Sequence, residues 1–267
     1  MSGGLRTASA LASVLFLLTL TAPLAEGQGR GAPTPAASPR DVAVIDVTGQ
    51  WVSVITEDWR WRMMTPPRGD VASVPLNAAG RQAANAWDLD ADRRRGDLCK
   101  AFGPPGLIRQ PGRLRIRWEN DTTLALEFDA GRQVRRLHFG TSTPPGARSL
   151  QGHSQANWFR QPQNRGLRRG GPLSGGSLEV VTTNLTAGYL RPNGVPYSDR
   201  AVVKEFFDTF TLPEDGTWLI VTTVVNDPVY LNQEFVISSQ FRKESDLSRW
   251  SPRGCDIPPP TAPPATR

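Results

Sequence analysis

The chain holds two histidines, His138 and His153, and one of them sits where a polar side chain can do work. His138 falls in an alternating run and reads as structural. His153 lies in Gly152-His153-Ser154-Gln155-Ala156, in a stretch with loop composition, and loops carry a large share of functional side chains. These five residues have the outline of a G-x-S-x-G nucleophile elbow. No apolar strand leads into Gly152, however, and no His follows Ser154 as the triad order of such hydrolases requires. The sharper chemical candidate is Glu205. It shares strand parity with Val203 and Phe207, so it can point into a core, where burial raises a carboxyl pKa and suits it to acid or base work. The opposite orientation stays open, because Lys204 and Phe206 make the other face equally mixed. Together these residues describe a cofactor-free proton-transfer site of isomerase or hydratase type. His153 would be the general base or acid, Glu205 its partner, and Tyr197 or Ser198 a hydrogen-bond donor. The chemistry requires His153 and Glu205 within hydrogen-bond reach.

Binding is the alternative use of the same residues. A cavity lined by Trp51, Trp158 and Tyr230, with His153 and Glu205 as polar anchors, would take a small, partly apolar or amphipathic molecule. Core packing is the plain alternative for each of these aromatics, and for Trp59 and Trp61, which alternate with Arg60 and Arg62. The sequence has no HExxH, no EF-hand loop, no phosphate-loop glycine spacing and no cluster with metal-ligand spacing, so no cofactor or metal is expected.

The elements that must position these residues belong to an exported chain. Arg6, the apolar run Ala8 to Leu20 and Ala25-Glu26-Gly27 read as a signal peptide over 1–27. That run is shorter than the roughly 20 residues a spanning helix needs, so no stable membrane insertion is expected; an uncleaved N-terminal anchor is the alternative. Residues 28–40 read as a flexible linker, 41–255 as one folded domain, and 256–267 as a disordered Pro-rich tail. The formal net charge is +6, but Arg93, Arg94 and Arg95 sit among Asp88, Asp90, Asp92 and Asp97. Arg165, Arg168 and Arg169 lie in a Gly-rich loop. The pattern is solvated surface and not a nucleic-acid footprint. Two cysteines, Cys99 and Cys255, form an even pair that an oxidising compartment would bond; two separate thiols are the alternative. The oligomeric state is not legible.

Within the domain, Val42 to Ile55 gives a first strand broken at Thr48-Gly49, and Asn77 can cap a helix reaching Trp87. Leu114, Ile116 and Trp118 alternate with Arg113, Arg115 and Arg117, and two further runs through Phe128 and Phe139 complete a meander. Residues 140–176 are long, irregular and rich in Gly and Pro, ordered in the first half and mobile from Arg165 to Gly176. A second meander follows: Leu178 to Leu185, Ala201 to Leu212, Trp218 to Asn226 and Glu234 to Lys243, with a hairpin turn at Glu214-Asp215-Gly216. The expected fold is all-β: a single antiparallel, calycin- or lipocalin-like barrel with one short helix. A two-sheet sandwich is the runner-up.

Two resemblances bear on this. Gly49-Gln50-Trp51 is similar to the G-x-W of lipocalin-like barrels, where the Trp crosses the closed base; an ordinary core Trp after a bulge glycine fits as well. A broader set of segments resembles a large group of exported bacterial proteins of uncharacterised function. They run in order over most of residues 95–245: Cys99 with Gly103 to Arg109, Val134 to His138, Gln151 to Ser154 leading to Trp158, Gly176 to Thr183, Asn193 to Ser198, Val203 to Phe207 and Asn226 to Tyr230. That resemblance implies export, one domain and a β fold, and no reaction. It marks Gly152, His153, Trp158, Asn193, Ser198, Glu205 and Asp227 as matching positions, which brings Asn193 and Asp227 into the ligand-binding set. The group often has an acidic residue and Gly-Asp soon after the Trp; here Arg160 and the insertion 165–176 take that place. A structural or interaction protein of the cell envelope is the third functional class, and it predicts a filled barrel with an exposed apolar patch.

Overall fold

The computed structural model describes Met1 and residues 36–141, 143–160 and 176–262. The expected signal peptide from residue 2 on, most of the expected linker, residues 161–175 with the Arg-rich loop and the last five residues of the tail lie outside these. Among the described residues there are eleven strands: β1 Gly49–Val54, β2 Arg113–Asn120, β3 Thr123–Phe128, β4 Val134–Phe139, β5 His153–Arg160, β6 Gly176–Thr183, β7 Gly188–Arg191, β8 Val195–Tyr197, β9 Val202–Leu212, β10 Gly216–Asn226 and β11 Phe235–Glu244. Nine of them close into a barrel in the order β1, β11, β10, β9, β6, β5, β4, β3, β2. β7 and β8 form a separate hairpin.

The barrel is closed, which excludes the sandwich, but it is not wholly antiparallel. β4 and β5 run parallel, with Leu137, His138 and Phe139 opposite Ser154, Gln155 and Ala156. The cause is arithmetic. With an odd number of strands, direction cannot alternate all the way round a closed ring, so one neighbouring pair must be parallel. A parallel pair needs a long crossover, and residues 140–152 supply it. The strand that makes the count odd is β5, which sits inside the stretch expected to be irregular.

Period two sets the interior. On β10, Leu219, Val221, Thr223 and Val225 are buried, while Trp218, Ile220, Thr222 and Val224 are half-buried on the other face. One end of the barrel is packed with aromatics. The ring of Phe139 lies 5.4 Å from that of Trp118 and 5.3 Å from that of Trp158, and Trp51 is fully buried. Residues 39–47 cross this end. The Trp158 Nε1–H donates to the Pro39 carbonyl (2.7 Å), Trp51 Nε1–H donates to the Val47 carbonyl (3.0 Å), and Arg40 N–H donates to the Asp121 carbonyl (3.2 Å). The end of the expected linker is therefore fastened to the barrel.

The other end carries a cap. Four short α-helices take part, not one: α1 Trp59–Arg62, α2 Ala78–Ala86, α3 Leu89–Arg95 and α4 Pro104–Leu107. Asn77 caps α2 as its sequence suggests, its side chain accepting from Gly80 N–H at 2.9 Å, an interaction worth about 1 kcal/mol. Asp88 caps α3 by accepting from Asp90 and Ala91, and Gly96 closes that helix in the left-handed region. The cap core joins Leu76, Ala84, Leu190, Val195 and Tyr197 to Val203, Val225 and Phe235 of the barrel.

Cys99 and Cys255 are bonded, with a sequence separation of 156 residues. In the chain-entropy model a loop of that length contributes about 4–5 kcal/mol. Residues 256–261 of the tail expected to be disordered are held. Ile257 is 1% exposed in the main core, its carbonyl accepts from Arg93, and Thr261 N–H donates to the Thr65 carbonyl. Pro-rich composition concealed one apolar anchor.

Candidate functional site

The barrel interior is not an empty cup. Between its apolar layers lies a polar one, contributed by the inward positions of β4, β5, β6 and β9. Arg135 and Glu205, both with fully buried side chains, form a two-point ion pair, with Arg135 Nη1 donating to Glu205 Oε1 at 2.9 Å and Nη2 bonded to Oε2. Nη2 also donates to Thr182 Oγ1 (3.3 Å), which is bonded to Ser154 Oγ (2.8 Å). Glu205 thus points inward, as its parity with Val203 and Phe207 allows, but a guanidinium occupies both carboxylate oxygens. Trp51, Phe207 and Phe241 fill the space beyond.

The structure does not bring His153 and Glu205 together. Glu205 is opposite Val180 in the ladder, Val180 is opposite Ala156, and Ala156 and Ser154 face inward. His153 has the other parity and lies on the outer face, where its ring stacks on His138 at 5.4 Å and 11°. Burial, and then the neighbouring His153, holds the His138 imidazole below its ordinary pKa. The stack straddles the parallel β4–β5 seam.

The remaining sequence candidates fall into two groups. Ser198, Asp227 and Asn193 make structural bonds. Ser198 donates through its N–H and its hydroxyl to the two oxygens of Asp227 (2.6 and 2.7 Å), and Asp227 also accepts from Val229 N–H, which ties the β8–β9 turn to the β10–β11 turn. Asn193 donates to the carbonyls of Pro67 and Asp70, both at 3.0 Å. Trp51 and Trp158 close the aromatic end. Trp158 lines a cavity beneath residues 40–48 at that end, and Tyr197 and Tyr230 line one in the cap.

That cavity has a volume of about 360 Å³ and opens between α2, α3 and the β7–β8 hairpin. Its aromatic walls are Trp87, Tyr189, Tyr197 and Tyr230; Ala83, Ala86 and Ala91 on the two helices leave the space between them. The organising group is Asp92, 1% exposed. Its Oδ2 accepts from both Trp87 Nε1–H and Tyr189 O–H, each at 2.9 Å, while Oδ1 takes the guanidinium of Arg95. A single carboxylate oxygen therefore fixes two rings side by side. Burial, together with the bond to Asp92, pushes the Tyr189 phenol pKa up, so it remains a donor. Gly194 is in the left-handed region (φ +78°), and a Cβ there would lie 2.0 Å from the Trp87 ring, so only glycine lets the hairpin seat against it.

Asp92 belongs to the cluster at 88–97 that its charges assign to surface. The missed signal is helical period: Leu89 and Asp92, three apart, share the buried face of α3. Among the described residues no group of three or more His, Cys, Asp or Glu is placed to hold a metal ion. Comparison with protein-family models, curated proteins and solved structures found no match.

Proposed function

We propose that this chain is an exported binding protein in which the barrel is a filled scaffold and a small, partly apolar molecule is taken up by the cap pocket. The observation that carries the reading is the Asp92 bond to both Trp87 and Tyr189, which holds two aromatic walls of a pocket of about 360 Å³ rigid before any ligand arrives. Pockets of this size with an apolar lining and few oriented polar groups are the usual form of small-molecule sites, and preorganised walls reduce the entropy lost on binding. Export rests on the signal-like start of the sequence and on the bonded Cys99–Cys255 pair. Kinship with calycin-like barrels rests on Gly49-Gln50-Trp51, whose Trp packs at a closed barrel end. The proton-transfer alternative required His153 beside Glu205, and the two lie on opposite faces of the wall.

The experiment is a thermal-shift screen of the mature protein against phenols, indoles and monosaccharides, repeated with Ala86→Phe. Ala86 is exposed on α2, so the new ring fills the pocket without touching the core. The expected result is at least one compound that raises the wild-type Tm and has no effect on Ala86→Phe. A response that survives this substitution places the site elsewhere, and no response in wild type overturns the reading.

A further inference from the structure

A second concavity, separate from the pocket around Asp92, has a volume of about 590 Å³ and lies between the segment after α1 and the chain around Cys255. Its apolar lining includes Met63 and Met64, 57% and 38% exposed, facing Pro192 and Pro252. Thioethers and prolines give a surface that is apolar and, at the methionines, adaptable. Trp59, one helical turn from Met63, is 62% exposed and extends the apolar strip beyond the rim.

The cleft also contains two arginines set as a pair. The backbone N–H groups of Arg253 and Arg132 both point to the carbonyl of Asp129, at 2.8 and 3.5 Å, so the two residues meet at one point of the chain. Both are exposed, both line the cleft, and among the described residues neither has a carboxylate within 4.0 Å. Asp129 feels the charge of Arg253 through space, but neither guanidinium is paired with an acid. Asp129 is buried and its Oδ1 accepts from Arg113 N–H at 2.7 Å, and Asp256 on the rim makes no ion pair. Arg132 also holds φ +51°, a conformation that costs energy in a non-glycine residue and persists only where its surroundings demand it.

The wall that carries Arg253 is preset. Arg253 N–H is bonded to Asp129, Cys255 is bonded to Cys99, and Ile257 is sunk in the core, three anchors within five residues. Two guanidinium groups without an ion pair, on a cleft that Met and Pro also line, suit a particular chemistry. We propose that this cleft binds an amphiphilic anion, with a carboxylate or phosphate head on Arg132 and Arg253 and a short hydrocarbon part on Met63, Met64 and the prolines. The site is independent of the pocket around Asp92.

The test is isothermal titration of the mature protein with octyl phosphate and octanoate, with inorganic phosphate and octyl glucoside as the head-only and tail-only probes. Both amphiphiles are expected to bind, and each of the two half-probes to bind at least about tenfold more weakly. In Arg132→Ala/Arg253→Ala the amphiphile affinity falls by at least about tenfold while the Tm holds, since both side chains are exposed. Co-sedimentation with phosphatidylglycerol vesicles separates the two sources of such a ligand. A lipid source pellets the wild type but not the double variant; a free solute leaves both in the supernatant although octyl phosphate still binds. No heat from either amphiphile, or an affinity unchanged in the double variant, overturns the proposal. Inorganic phosphate binding as tightly as octyl phosphate overturns the amphiphile assignment.

Discussion

The barrel interior and the cap pocket are each organised round an almost completely buried carboxylate, Glu205 in the first and Asp92 in the second. Glu205 is met by a guanidinium, Arg135, which takes both oxygens in a space that aliphatic and aromatic side chains otherwise fill. Asp92 gives one oxygen to the exposed guanidinium of Arg95 and the other to an indole N–H and a phenol O–H, and these rings form the walls of an opening. Burial of an acid therefore does not by itself mark a site. Both acids have a guanidinium, so what the remaining oxygen does decides: Arg135 takes both oxygens of Glu205 and completes a core, whereas exposed Arg95 takes one oxygen of Asp92 and leaves the other to orient two aromatic donors.

The largest effect is expected where the charge is deepest. Glu205→Ala leaves Arg135 buried and unpaired, and should cost about 3–5 kcal/mol in urea unfolding. The double change Arg135→Met/Glu205→Leu should recover most of that loss. A double variant no more stable than the single one would mean that the pair does more than fill the interior. Replacing Cys99 and Cys255 by Ser should cost about 2–5 kcal/mol and release the segment that ends at Ile257. Limited proteolysis near Arg253 would show this, and a tail as resistant as before would mean that packing alone holds it.

Asp92→Ala should cost about 1–3 kcal/mol by stranding the Trp87 and Tyr189 donors. Its sharper signature is loss of any ligand response at a temperature where the variant is still folded. If the response persists, the two rings do not depend on the carboxylate and the contrast with Glu205 weakens. The smallest effect concerns His138. Its folded pKa lies below the ordinary value, so the unfolded chain binds the proton more readily and stability rises with pH through this group. The contribution is complete above about pH 6.5 and is lost as pH falls toward the depressed folded value. A Tm series from pH 8 to 5 should fall less steeply in His138→Phe than in wild type; parallel curves would remove the role of the His138–His153 stack.

Much of the barrel was legible because half-buried strands write their geometry at period two, as Leu114-Arg115-Ile116-Arg117-Trp118 does. The parallel pair was not, since strand direction follows from the parity of the total count, and β5 hid behind the Gly- and Pro-rich run before Gly152. Glu205 could be placed inward by its neighbours, but its partner could not be foreseen. Arg135 sits in Val134-Arg135-Arg136-Leu137, where two adjacent arginines must face opposite ways and nothing local says which is buried. In the cap, Trp59-Arg60-Trp61-Arg62 alternates like a strand yet forms a helical turn, because four residues are too few for period to outweigh context. The pocket was missed for a related reason. Tyr189, Trp87 and Asp92 come from three elements, and only the folded chain makes them one site.

The ring order has a bearing on time as well as shape. β1 is hydrogen-bonded on one side to β2 and on the other to β11, almost the whole domain away. A chain made or threaded from its N-terminus holds β1 with one edge unsatisfied until residue 244 is free to join it. The barrel therefore cannot complete domain by domain, and pairings this distant in sequence are slow to find one another. Until then the growing sheet exposes two open edges, which is the period in which a chaperone has most to protect.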